Sequence, residues 1–301
     1  MSNRHIIFVP GKNPKPDPCE HRELLWRTLI EGISRIEPEV AAEMQENEDD
    51  FGFIDWNYFY YGKHDDINTH RPYVDDLFKR DGPSKEDIEK AKNWRHKLEL
   101  FIYNTVDSTP VLLRLLRGEL KETAEETNRY FENEDQVGSE IREQLKRQLR
   151  PLLADGGKVM VIGHSMGSVI TYDTLWALSQ LEQLPGEVDM FLTLGSPLGM
   201  NYVQERLLGN DNEGRGKYPS NIRKWVNVAA DGDLIALDRE LNKDFGKMVE
   251  LNLLESLMDY CDEVYNYFHG EKGLNCHRSY GYLINSIVSQ IIADWWKDSA
   301  D

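Results

Sequence analysis

The chain reads as an α/β protein: a mostly parallel sheet with helices on both faces, interrupted by an inserted, mostly helical segment. Three observations lead there. Short apolar runs alternate with amphipathic stretches, the pattern of strand–helix–strand units. One apolar run, Lys158 to Ile162, leads through Gly163-His164-Ser165-Met166-Gly167 into a helical stretch from Ser168 to Leu181. Between Lys63 and Asp135 the sheet pattern stops and a charged, proline-broken region takes over, too long for an ordinary loop. The expected division is a core of residues 1–62 and 136–301 with an inserted segment, 63–135.

His5 to Val9 is apolar enough for a buried strand and stops at Pro10-Gly11. A helix is predicted from Glu20 to Ile36, where Leu24, Leu25, Leu29, Ile33 and Ile36 fall on one side. The aromatic run Phe51 to Tyr61 suggests a second strand ending at Gly62. Within the insertion, Ser84 and Asp87 have capping-box spacing, and Leu98 to Leu116 form an apolar cluster. A helix at Gly138–Leu153 returns to the sheet, whose later strands are Val188–Leu194 and Lys224–Ala229. Leu283, Ile284, Ile287, Val288, Ile291, Ile292, Trp295 and Trp296 give one C-terminal helix a wide apolar stripe. That helix is not basic on its polar side, which argues against membrane binding.

Composition narrows the function. The 301 residues include 53 acidic and 35 basic side chains, a formal charge of -18. Such a surface repels nucleic acid and anionic membranes. No apolar run reaches the length of a membrane span, and Met1 to His5 lacks a signal-like apolar region. Cys19, Cys261 and Cys276 have no framework spacing, so a reducing, cytoplasmic setting is expected. His64-Asp65-Asp66 reads as a solvated loop; no metal or other cofactor is expected.

A Gly-x-Ser-x-Gly turn between strand and helix forces its serine into a strained backbone and lifts the hydroxyl out of the bend. Gly163 and Gly167 lack the carbons that would collide there, and the following helix directs its free N–H groups at the same point. Ser165 is therefore the candidate nucleophile. His164 is read as structural, pointing away from it. A serine needs a base and the base an orienting acid. Downstream, the histidines are His269 and His277. His277, at a loop-to-helix junction late in the chain, is preferred. Asp231 and Asp233 both follow the strand ending at Ala229; Asp233 is preferred because Gly232 can turn it back over the strand ends. Asp173 lies roughly 12 Å along the next helix and is excluded. Oxyanion donors are assigned to the backbone N–H groups of Met166 and Lys12, Gly11 permitting close approach.

In these segments the chain resembles the α/β-hydrolase superfamily and, within it, serine lipases and esterases. Phe8-Val9-Pro10-Gly11 is similar to a strand end that usually reads His-Gly, with Pro10 in place of the His. Gly163 to Asp173 resembles the elbow of bacterial serine hydrolases and DDHD-type phospholipases, though the Asp-Asp-His-Asp sequence is absent. Leu192 to Gly199 resembles a strand end of the same proteins and of class 3 lipases. Asp231-Gly232-Asp233-Leu234-Ile235 and His277-Arg278-Ser279-Tyr280 resemble their acid and base motifs. The likeness excludes residues 63–135. It implies cleavage of a small-molecule or lipid-like carboxylic ester through an acyl-serine intermediate, with the insertion covering the site. Acyl transfer or thioester cleavage on the same triad, and a noncatalytic binding protein on the same scaffold, stay open.

Overall fold

The computed structural model describes residues 4–93, 127–236 and 238–298. Its sheet has six strands: β1 (Arg4–Val9), β2 (Phe51–Phe53), β3 (Lys158–His164), β4 (Val188–Leu194), β5 (Ile222–Val228) and β6 (Ser256–Tyr260). All neighbours run parallel, in the order β2-β1-β3-β4-β5-β6. Side chains alternate across a strand, and the two faces carry separate cores. Ile6 and Phe8 of β1, with Met160 and Ile162 of β3, pack on one face against α1 (Pro18–Ser34), α2 (Pro38–Gln45) and the C-terminal helix. Ile7 and Val9, with Val159 and Val161, pack on the other against α5 (Val137–Ala154) and α6 (Met166–Trp176). No described helix is long and apolar enough to cross a membrane.

The connection leaving β1 crosses one face and the connection leaving β3 crosses the other, although β1 and β3 are neighbours in register from Arg4–Lys158 to Val9–Gly163. Chains that diverge in this way leave a crevice at the carboxyl ends of the strands. Pro10-Gly11 and the Ser165 turn flank that crevice.

Two elements differ from the sequence expectation. The strand expected over Phe51–Tyr61 covers only Phe51–Phe53, and Trp56–Tyr61 is a short helix, α3, ended by Gly62 at φ 66°. Its buried Trp56 and Asn57 hydrogen-bond the chain after β1, which requires a helical turn rather than further extension. The C-terminal helix is two, α7 (Ser279–Leu283) and α8 (Ser286–Lys297). Asn285 breaks it by accepting a hydrogen bond from the Ile287 N–H, an N-cap within the apolar stripe.

The start of the insertion packs on the core. Ile67, with Val74 and Leu77 of α4 (Arg71–Phe78), belongs to the same apolar cluster as α1 and Phe268. The Ser84–Asp87 box forms reciprocally: the Asp87 N–H donates to Ser84 Oγ and the Ser84 N–H to Asp87 Oδ2. The apolar cluster Leu98–Leu116 lies outside the described residues.

Candidate active site

Ser165 occupies the turn between β3 and α6 at φ 54°, ψ -128°. This is a backbone region sparsely populated by side-chain-bearing residues. Its environment over-determines the conformation. The Ser165 N–H donates to Leu194 O at 3.0 Å, and Ser168 Oγ donates to Ser165 O at 2.6 Å. A Cβ on Gly163 would sit 2.6 Å from Ser168 Cα, and one on Gly167 would sit 2.1 Å from Val9 O. Both glycines are thus sterically required. Ser196, the other serine near the turn, is buried and holds Ser168 Oγ at 2.7 Å.

The loop after β1 lies against the serine. A Cβ on Gly11 would fall 2.8 Å from Ser165 Cβ and 3.3 Å from its Oγ. The loop is fastened from below: Trp56 Nε1 donates to Pro10 O at 2.8 Å, and Asn57 Nδ2 donates to Gly11 O at 2.8 Å and Asn13 O at 2.9 Å. Lys12 and Met166 line one small cavity of about 10 Å³ with Trp56, Tyr60, Tyr61 and Tyr130. Met166 opens α6, so its N–H has no acceptor within the helix.

Asp233 and His277, 44 residues apart, meet directly: His277 Nδ1 donates to Asp233 Oδ2 at 2.8 Å. The carboxylate is fully buried and also accepts from the Tyr282 hydroxyl at 2.6 Å and the Ile235 N–H at 2.9 Å. Burial works against its charge, but His277 and these hydrogen bonds outweigh it and hold the carboxyl below its usual range. Gly195, at φ 56°, makes room for the pair, since a Cβ there would lie 2.5 Å from Asp233 Oδ2 and 3.1 Å from His277 Nδ1. Among the described residues no hydrogen bond joins Ser165 Oγ to the imidazole. Such contacts often tighten only around a bound substrate.

The rival residues are engaged elsewhere. Asp231 pairs with Arg239 at 2.7 Å. His269 pairs with Asp87 of the insertion at 2.7 Å. Asp173 accepts from the Tyr130 hydroxyl at 3.0 Å and the Leu208 N–H at 2.9 Å. His164, expected to be structural and to point away from Ser165, lies against His277. Its ring lies 4.8 Å from that of His277, and its Nε2–H donates to the His277 carbonyl at 2.8 Å. Burial, then His277, keeps its pKa well below the usual value, so it is a neutral shelf under His277. Sequence reasoning missed Gly195, Tyr282, Trp56 and Asn57. Gly195 stood inside a quoted strand-end motif; the other three carried no local signal.

Cys19, Cys261 and Cys276 are all unpaired. No group of His, Cys, Asp and Glu suited to a metal ion occurs among the described residues. Compared with known protein families, characterised proteins and solved structures, the chain shows no significant match.

Proposed function

We propose that the chain is a serine hydrolase of α/β-hydrolase type that cleaves carboxylic esters through an acyl-serine intermediate. The observation that carries this reading is the strained Ser165 turn at the mouth of the β1–β3 crevice, with buried Asp233 bonded to a partly exposed His277 at the same end of the sheet. The arrangement supplies each role in turn. Ser165 Oγ attacks the ester carbonyl as His277 Nε2 takes its proton. Asp233, on the opposite ring nitrogen, fixes the tautomer and offsets the imidazolium charge. The N–H groups of Met166 and Lys12 receive the oxyanion. His277 returns the proton to the leaving alcohol, and water repeats the sequence to release the acid. On this reading the insertion covers the site and the protein works in the cytoplasm, a setting that the acidic balance and the free thiols suit.

The test is direct. A fluorophosphonate probe should label the purified protein, and Ser165→Ala should abolish both labelling and ester turnover while the fold is kept by circular dichroism. Labelling that survives, or that maps to Ser196, rejects the assignment.

A further inference from the structure

A groove of about 1040 Å³ opens beside the base, lined by His277, Arg278, His70, Tyr73, Phe268 and Leu234 among others. Its walls mix apolar surface with one unusual cation. Arg278 follows the base in sequence, yet its guanidinium has no carboxylate partner among the described residues. It contacts the His70 ring at 3.0 Å, and its Nε is buried without a hydrogen-bond partner. Half-buried Lys15 is close enough to Arg278 for their charges to interact: its Nζ donates to Lys12 O at 2.6 Å, with no carboxylate at ion-pair distance among the described residues. Asp65 is the nearby acid, but its Oδ2 is on His70 Nε2 at 3.0 Å. In a chain with 53 acidic and 35 basic residues, two neighbouring cations without a carboxylate partner among the described residues are conspicuous.

We propose that Arg278, backed by Lys15, is an anion-binding subsite that selects esters bearing a second, anionic oxygen group, a carboxylate or phosphate, toward the groove. The proposal rests on the ester-hydrolase reading for its substrate class. The guanidinium fork matches either anion, and its free Nε is an unused donor. Burial, then Arg278, lowers the Lys15 pKa to about 7, and burial, then Arg278, lowers that of His70 to about 4. A bound anion would relieve that strain among like charges. The His70 ring, kept neutral, packs against the Arg278 guanidinium, whose Nη2 lies 3.0 and 3.1 Å from its two nitrogens, and positions it. Exposed Asp76 and Glu271, with exposed Lys272, also line the groove and leave Arg278 as the cation beside the base.

The experiment compares mono(4-nitrophenyl) glutarate with 4-nitrophenyl butyrate, and titrates glutarate and inorganic phosphate into the Ser165→Ala protein by calorimetry. The anionic ester should be preferred in kcat/KM by about tenfold or more, and Arg278→Gln should erase that preference while Arg278→Lys keeps part of it. Anion binding should weaken by at least about tenfold in Arg278→Gln. Tighter binding of phosphate than glutarate assigns the anion to a phosphate group; the reverse assigns a carboxylate. If Arg278→Gln does not fold, competition by the two anions against butyrate ester turnover in the wild type decides. An unchanged substrate ratio, or no binding of either anion at millimolar concentration, overturns the proposal. Arg278-dependent anion binding without turnover of any ester would keep the subsite and reject ester hydrolysis; turnover without Arg278 dependence would do the opposite.

Discussion

Asp231 and Asp233 stand two residues apart on one turn, and local sequence favours neither strongly. The structure separates them by partner: Asp233 lies against His277 and Tyr282, while Asp231 lies against Arg239. Asp233→Asn should therefore cost about 10⁴-fold in kcat, the scale seen when a triad imidazole loses its orienting carboxylate. Asp231→Asn should leave kcat near wild type and lower the melting temperature. Steady-state kinetics and thermal melts on both variants check this; a crippled Asp231→Asn enzyme with a mild Asp233→Asn one would reverse the assignment. His164 shows the limit of reasoning along the chain. Its neighbour Ser165 turns sharply, and the turn brings the His164 ring under His277, 113 residues later.

Helix α3 makes the same point for an element. Its aromatic sequence has strand propensity, but its side chains serve the loop after β1, and tertiary demand overrides propensity. Asn57 binds two carbonyls of that loop, at Gly11 and Asn13. Asn57→Ala strands both in a partly buried setting, at about 1–3 kcal/mol for each unsatisfied group. If the loop carries an oxyanion donor, the variant should lose kcat more than it raises KM. An effect confined to melting temperature would make Asn57 a purely structural support. The split between α7 and α8 was less visible in advance, because Asn285 sits inside an unbroken apolar pattern; only its cap to Ile287 reveals the stop.

Across the whole molecule, the switch between β1 and β3 brings distant segments to one end of the sheet. A second long-range tie is buried Asp173, which joins α6 to Tyr130 on the return from the insertion. Burial raises its pKa from 3.8 to about 6. A native carboxyl with a raised pKa binds its proton more tightly than the unfolded chain does. Its favourable contribution is present at low pH and is lost as pH rises from the unfolded value through about 6. The shift corresponds to about 3 kcal/mol. Urea unfolding between pH 4 and 7 should show this declining component in the wild type and lack it in Asp173→Asn. Identical pH slopes in the two proteins would mean that Asp173 does not titrate in this range.

Read along the chain, local pattern was enough for the α/β class, for strand Val188–Leu194, for helix α5 within a residue or so at each end, and for the Ser165 turn. Those features are local: periodicity, glycine and the strand-to-helix junction lie within a few residues of one another. Tertiary structure decided the partner of each carboxylate, the helical state of Trp56–Tyr61, and the room made by Gly195 for Asp233 and His277. It also left Arg278, beside His277, without a carboxylate partner among the described residues. These are contacts between residues far apart in sequence, set by strand order and by which face each connection crosses. No window along the chain contains them.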